Sequence, residues 1–391
     1  MKIETAVVLG KMKKILFVQI GSFSHINDSV LSEFKLQFPD YRIEVFDVYD
    51  YFTSFQPARI GSLFSLLFHY GKDFITRKKP LHEHIAWELR TPFAFRLTKR
   101  IATDIVKAGE YVFTFQTQSV FDASTGIIPH FVYTDSTILA TLRYPNVTLQ
   151  GLPYAKAWLK LERSIYTNAT FNFTFSTNQL RSVIDDYSVA QDKVRCVFAG
   201  SNIETDTIIE KEYTARNILF IGLVEWERKG GPVLLKAFGK VRERFPDATL
   251  TIVGCSRKIL LRYHSATELE GCTITGMITK EQVAGYFKTA SVFCLPTRNE
   301  PFGIVFIEAM MYKLPIVASS IGALPDLVQN NDIGFLADPD DVEGFADAII
   351  RLFSDPELCG RMGEEAYRKA TASYTWENTV SLMKEEILKH L

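Results

Sequence analysis

Two doubly wound α/β domains are the fold class that this sequence predicts, and three observations carry it. Short β-branched or aromatic runs recur along the chain, each followed by a helix-like stretch. The runs lack strict polar/apolar alternation, which marks strands of parallel sheets buried on both faces. The series then restarts near the middle, and 391 residues suit two domains with cores of their own. The first series comprises "KKILFVQI" (13–20), "YRIEVFDV" (41–48), "YVFTFQT" (111–117), "HFVYTD" (130–135), "TFNFTFS" (170–176) and "KVRCVFAG" (193–200). The second comprises "NILFIG" (217–222), "ATLTIVG" (248–254), "CTITG" (272–276), "SVFCLPT" (291–297), "PIVASS" (315–320) and "GFLAD" (334–338). The polar, aperiodic stretch 201–217 joins them, giving a first domain over 1–205 and a second over 206–375. In the tail, 376–391, Trp376, Val380, Met383, Ile387 and Leu391 recur at helical spacing. This predicts a final amphipathic helix that packs on one domain or the other, the first being one of the two choices.

Composition narrows the function classes. A hydrophobic content of 47%, a charged content of 23% and a net charge of −1 describe a globular protein with no bulk attraction to nucleic acid. The five cysteines, Cys196, Cys255, Cys272, Cys294 and Cys359, form no C-x-x-C pair and read as buried reduced thiols. The opening apolar run is too short to span a bilayer and no cleavage site follows it, so a cytoplasmic location is expected. Asn-x-Thr tripeptides at 146, 168 and 172 then read as chance.

Residues 57–100 differ from the rest, being aromatic and basic, with nine Lys or Arg against three Asp or Glu. One reading is a surface helix pair with solvated charges. The other is an amphipathic face that sits peripherally on an anionic membrane surface or receives an anionic acceptor. The "HEH" at 82–84 is not read as a metal site, because alternate residues fall on different helix faces.

The chemistry concentrates in "SVFCLPTRNEPFGIVFIEAMMY", which reads as strand, loop and helix with Pro301 and Gly303 at the turn. Backbone N–H groups around Phe302, Gly303, Ile304 and Val305 then point out of a helix start, an arrangement that binds phosphate. Glu300 precedes this start and Glu308 lies more than a turn inside, too far apart for a paired acid and base. They read as separate grips on hydroxyls to either side of a diphosphate, which suits a nucleoside diphosphate sugar. The plainer alternative is that Glu300 only favours the helix dipole while Glu308 is solvated. After the strand that ends at Gly222, Arg228 and Lys229 stand on a loop leading through Gly230-Gly231-Pro232 into a helix. Cations there lie at the carboxyl edge of a parallel sheet and would neutralise a departing diphosphate; a solvated surface pair is the alternative.

With these residues in view, the second half resembles the family 4 retaining glycosyltransferases, which have the GT-B fold of two Rossmann-like domains facing across a cleft. The resemblance rests on Glu300 and Glu308 as an E-x7-E element, Lys229-Gly230, and Gly322-Ala323-Leu324-Pro325-Asp326 as a later G-x-P-E/D element. It implies a metal-independent transferase, a hexosyltransferase, that needs no cofactor. It would move a sugar from a UDP- or GDP-sugar, with retention, to a saccharide or lipid-linked acceptor. It further implies that Glu300 holds the donor sugar, Phe302 to Val305 the sugar and diphosphate, Lys229 the diphosphate and Glu308 the ribose. Gly276, Met277 and Ile278 lie where the family's backbone reads the base, and Gly21, Ser22 and Gly222 stand on donor-side strand ends.

Three positions depart from the pattern. Leu223 replaces an arginine, leaving Arg228 to supply its charge; Thr134 and Asp135 stand where many members have a histidine; and Gly21-Ser22 replaces paired glycines. His25, Thr134 and Asp135 are the acceptor-side candidates, Asp135 either as base or orienting group or as a turn or helix cap, and His25 either as a contact or as a solvated side chain. The "DPD" at 338–340 is expected to cap the following helix, and no P-loop, G-x-G-x-x-G, G-x-S-x-G or H-E-x-x-H motif occurs. The alternatives are a scaffold protein that keeps the fold without catalysis, and a nucleotide-sugar isomerase or a phosphorylase on the same fold.

Overall fold

The computed structural model describes residues 12–22, 26–76, 90–144, 147, 155–203, 210–222, 225–329 and 331–391. His25, Leu223, the "HEH" at 82–84, the Asn at 146 and part of the join, 204–209, lie outside the described residues. Among the described residues twelve strands form two parallel sheets of six. The first contains β1 (Lys13–Gln19), β2 (Tyr41–Asp47), β3 (Tyr111–Thr117), β4 (His130–Thr134), β5 (Phe171–Thr174) and β6 (Val194–Cys196), in the order β2-β1-β3-β4-β5-β6. The second contains β7 (Asn217–Ile221), β8 (Thr249–Val253), β9 (Cys272–Gly276), β10 (Val292–Leu295), β11 (Ile316–Ser319) and β12 (Gly334–Ala337), in the order β12-β11-β10-β7-β8-β9. Each strand falls within a run identified in the sequence, and this is a GT-B fold.

Burial explains why those runs read as they do. All of β4 and β10 is buried, whereas β2 at the edge of its sheet is mostly half-exposed and carries Arg42 and Glu44. Helices cover both faces of each sheet, so central strands have no wet side to record in their sequence. In the first domain the covering is largely aromatic: Phe34 of helix α1 (Ile26–Gln37) lies with its ring centroid 4.4 Å from that of Phe115 on β3.

The C-terminal helix Trp376–Leu388 buries Val380, Met383 and Ile387. It lies against the first domain: Lys384 donates to the Gln37 carbonyl at 2.5 Å, and Arg195 pairs with Glu385 and Glu386 at 3.1 and 3.2 Å. Leu391, expected on its apolar stripe, stands beyond the helix end and is exposed. The acidic run 338–340 after β12 does not itself cap the helix that follows. Asp341 caps helix Val342–Ser354 by accepting from the Gly344 N–H, while Asp338 accepts from Ser320 and Asp340 pairs with Arg298. The run is one residue too early for the cap, because its first and third carboxylates are taken by neighbouring loops. Cys255, Cys294 and Cys359 are buried and not disulfide-bonded; Cys196 and Cys272, expected to be buried, are only half-buried.

Candidate active site

In the second sheet β7 has β8 on one side and β10 on the other, so the chain reverses its winding between β7 and β10. A crevice opens at such a point beyond the carboxyl ends of the strands. The loop after β7 brings Lys229 to it and the loop after β10 brings Glu300. The Lys229 Nζ donates to Glu300 Oε2 at 2.6 Å, with the two side chains only 14% and 8% exposed. Their sequence separation hid the contact; adjacent strands supply it.

Local geometry fixes the lysine loop. Gly230 precedes helix Gly231–Arg244 at φ 74°, in the left-handed region. A Cβ there would stand 1.8 Å from the Pro296 carbonyl oxygen, so only glycine lets the two loops approach. The Arg298 N–H donates to the Arg228 carbonyl at 2.9 Å and ties them together. Arg228 itself forms a forked pair with the Glu225 carboxylate, which holds Glu225 below the usual carboxylate range, and donates to the Asn299 carbonyl at 2.7 Å. Its charge is thus half spent on the loop's own structure, leaving Lys229 as the cation in direct contact with Glu300.

Gly303, at φ 88°, opens the helix Ile304–Met311. Ile304 and Val305 are its first residues, so their N–H groups lack intrahelical partners, and Phe302 and Gly303 lead into the same end. Glu308 sits about a turn further along, half-buried; burial raises its carboxyl to about 7 against the opposing pull of Lys280. Gly276, at φ 70°, ends β9 with open space where a Cβ would be, followed by Met277 at 67% exposure and half-buried Ile278. Gly222 closes β7 with its N–H on the Val253 carbonyl at 3.0 Å.

Across from these groups stands the carboxyl edge of the first sheet. Gly21, at φ 55°, donates its N–H to the Asp47 carboxylate at 3.1 Å, and Ser22 beside it is exposed. Asp135, just past β4, is half-buried; burial raises its carboxyl to about 6, Arg90 opposes the shift and the charge of Glu300 adds to it. Thr134, an acceptor-side candidate, lies at the end of β4. It is fully buried, and its hydroxyl lies 2.9 Å from Ser119 Oγ on the loop after β3 and 3.0 Å from the Ser136 carbonyl, so its one hydrogen is shared between those two acceptors and ties neighbouring loops together. Sequence reasoning missed Tyr144, whose hydroxyl donates to the Glu300 carbonyl at 3.0 Å; no motif or spacing signals it. It also missed Glu225, although its position three residues before Arg228 is the separation at which such pairs form on a turn.

The fold and the crevice define the class: a GT-B protein with a cation and an open helix start at the switch point of its second domain. Residues 189–369 match the family model described as Glycosyl transferases group 1, so the chain carries a group 1 glycosyltransferase domain. Among characterised proteins it is 26% identical to the D-inositol 3-phosphate glycosyltransferase of Corynebacterium aurimucosum, over 61% of each chain. It is 33% identical to the phosphatidyl-myo-inositol mannosyltransferase of Mycolicibacterium smegmatis, over 41% of this chain and 42% of that one. The chain therefore spans less than two thirds of either relative. Sucrose-phosphate synthase from Thermosynechococcus elongatus superposes with a TM-score of 0.68 at 18% identity, covering 96% of this chain and 98% of its own, a likeness of fold.

Proposed function

We propose that this protein is a retaining, metal-independent family 4 glycosyltransferase, a hexosyltransferase that moves a sugar from a UDP- or GDP-sugar to a saccharide or lipid-linked acceptor. The observation that carries the reading is the Lys229–Glu300 ion pair at 2.6 Å, set beside the orphan N–H groups of a helix start at the switch point. A diphosphate laid on that helix start would draw Lys229 to itself and release the Glu300 carboxylate to the hydroxyls of the sugar. As the anomeric C–O bond breaks, negative charge grows on the departing diphosphate, and the lysine and helix dipole gain strength as it does. Glu308 accepts from the ribose hydroxyls, and the backbone of Gly276 to Ile278 faces the base. Asp135, ionised above about pH 6, accepts a hydrogen bond from the acceptor hydroxyl that attacks the anomeric carbon.

Two further features support a membrane-proximal acceptor at the cytoplasmic face. The relatives named above include one that acts on phosphatidyl-myo-inositol. Helix Gln56–Thr76 exposes Ile60, Phe64 and Leu67 at 50%, 69% and 41%, positions that share one helical face within the basic segment.

Calorimetric titration with UDP and GDP, in separate runs without metal, tests the donor grip. One of the two is expected to bind; Glu308→Ala should weaken it, while Glu300→Ala should leave nucleotide binding near wild type and impair transfer. Binding of neither nucleotide, or unchanged activity in both variants, would sink the assignment.

A further inference from the structure

Glu300 is held from two sides. Its carboxylate pairs with Lys229 of its own domain, whereas its backbone carbonyl accepts a hydrogen bond at 3.0 Å from Tyr144, which belongs to the other domain. Tyr144 follows the short helix Ile138–Thr141 at the carboxyl edge of β4 and is nearly buried. The same carbonyl is crowded from a third direction by Gly322, at φ 58°, where a Cβ would stand 2.1 Å from the Glu300 oxygen and 2.7 Å from the Tyr144 oxygen. Two neighbouring contacts also cross between the domains. The Phe175 ring meets Phe302 edge-on at 5.7 Å, and Thr177 donates its N–H and its hydroxyl to the Asp326 carboxylate at 2.8 and 2.6 Å.

We infer that Tyr144 is a positioning residue for sugar transfer: reaching from the first domain, it fixes the peptide of Glu300 and so aims the carboxylate at the donor sugar. This rests on the transfer reading given above. The groups assigned to the nucleotide in that reading, namely Lys229, the helix start at Ile304, Glu308 and the backbone of 276–278, all belong to the second domain, and the Tyr144 hydroxyl is given to the Glu300 carbonyl instead. Loss of its hydroxyl therefore leaves the nucleotide grip intact but strips a buried carbonyl of its donor. The loop relaxes to re-satisfy that carbonyl, and the carboxylate moves with it. Gly322 has the matching role on the other side, since anything larger would force the Glu300 carbonyl and the Tyr144 hydroxyl apart.

The test compares wild type with Tyr144→Phe, Gly322→Ala and Thr177→Val. Nucleotide release from UDP-glucose and from GDP-mannose, with water as acceptor, gives kcat and donor KM; calorimetry gives the affinity for UDP and GDP. Tyr144→Phe keeps the ring and its packing, and is expected to lower kcat about tenfold with nucleotide affinity unchanged. Gly322→Ala should give the same split. Thr177→Val removes an adjacent interdomain bond without touching Glu300 and should keep the wild-type kcat. A wild-type kcat in Tyr144→Phe would overturn the inference. So would an equal loss in Thr177→Val, or a parallel loss of nucleotide affinity, since each would mean that Tyr144 merely joins the domains. Nucleotide binding without release from either donor by the wild type would instead overturn the transfer reading, and this inference with it.

Discussion

At the residue scale, Glu308 links burial to a measurable pH dependence. Its folded-state pKa of about 7 lies above the ordinary 4.5, so the folded protein holds a proton that the unfolded chain releases. Stability from this group is therefore greatest below the ordinary value and falls as pH rises toward about 7. Nucleotide binding carries the opposite sign, because the ionised carboxylate accepts from ribose hydroxyls better than the protonated one. The ratio of wild-type to Glu308→Gln affinity for the bound nucleotide should grow severalfold as pH rises through about 7. Taking the ratio removes the titration of the nucleotide's own phosphates. A ratio flat in pH would show that the carboxyl does not engage the ligand. Glu300, Lys229 and Glu308 were legible because each sits at a fixed short spacing from a glycine or a helix start. Tyr144 was not, since its partner lies 156 residues away and is a carbonyl, a group that every residue carries.

At the scale of elements, two glycines of the β7 crossover separate a geometric need from a spare one. Both Gly230 and Gly239 border or lie within helix Gly231–Arg244. Gly230 has a left-handed φ and a Pro296 oxygen where its Cβ would go, whereas Gly239 has nothing within 4 Å. Gly230→Ala should therefore cost about 1–3 kcal/mol for the backbone alone, with more from the collision, and should weaken nucleotide binding by moving Lys229. Gly239→Ala should stabilise the helix by about 0.5–1 kcal/mol and leave binding unchanged. Denaturant unfolding of the two variants checks the contrast; similar effects in both would remove the close loop approach as the reason for the Lys-Gly pair. The elements themselves were readable because buried parallel strands are short unbroken apolar runs. Their exact capping was not, as the shift of the helix cap to Asp341 shows: a carboxylate's nearest neighbour in space decides what it accepts.

At the scale of the whole molecule, the final helix returns to the first domain, so the chain crosses between the domains more than once. The Ser201 N–H on the Tyr374 carbonyl at 3.0 Å marks where the two crossings meet. Such a frame lets contacts like Tyr144 to Glu300 be formed reproducibly between the two domains. The face carrying Ile60, Phe64 and Leu67 belongs to the first domain. Among the described residues no helix is long and apolar enough to cross a membrane. Flotation with phosphatidylglycerol vesicles should capture the protein at low salt and lose it as salt rises, and Phe64→Ser should weaken capture. Equal capture by zwitterionic vesicles, or indifference to salt, would count against an electrostatic membrane contact.

The sequence by itself determined the two sheets, their restart near residue 217, and the identity of the charged groups in the second domain. Each of these depends on local hydrophobic pattern or on short spacing around a glycine. Only the tertiary structure decided that Lys229 and Glu300 are ion-paired, that Arg228 pairs with Glu225, and that the Thr134 hydroxyl meets Ser119. It also decided that the first domain reaches across to the Glu300 carbonyl. These are outcomes of competition among partners brought together by strand order. A one-dimensional pattern records which groups exist, but strand order and crossover geometry set which of them meet.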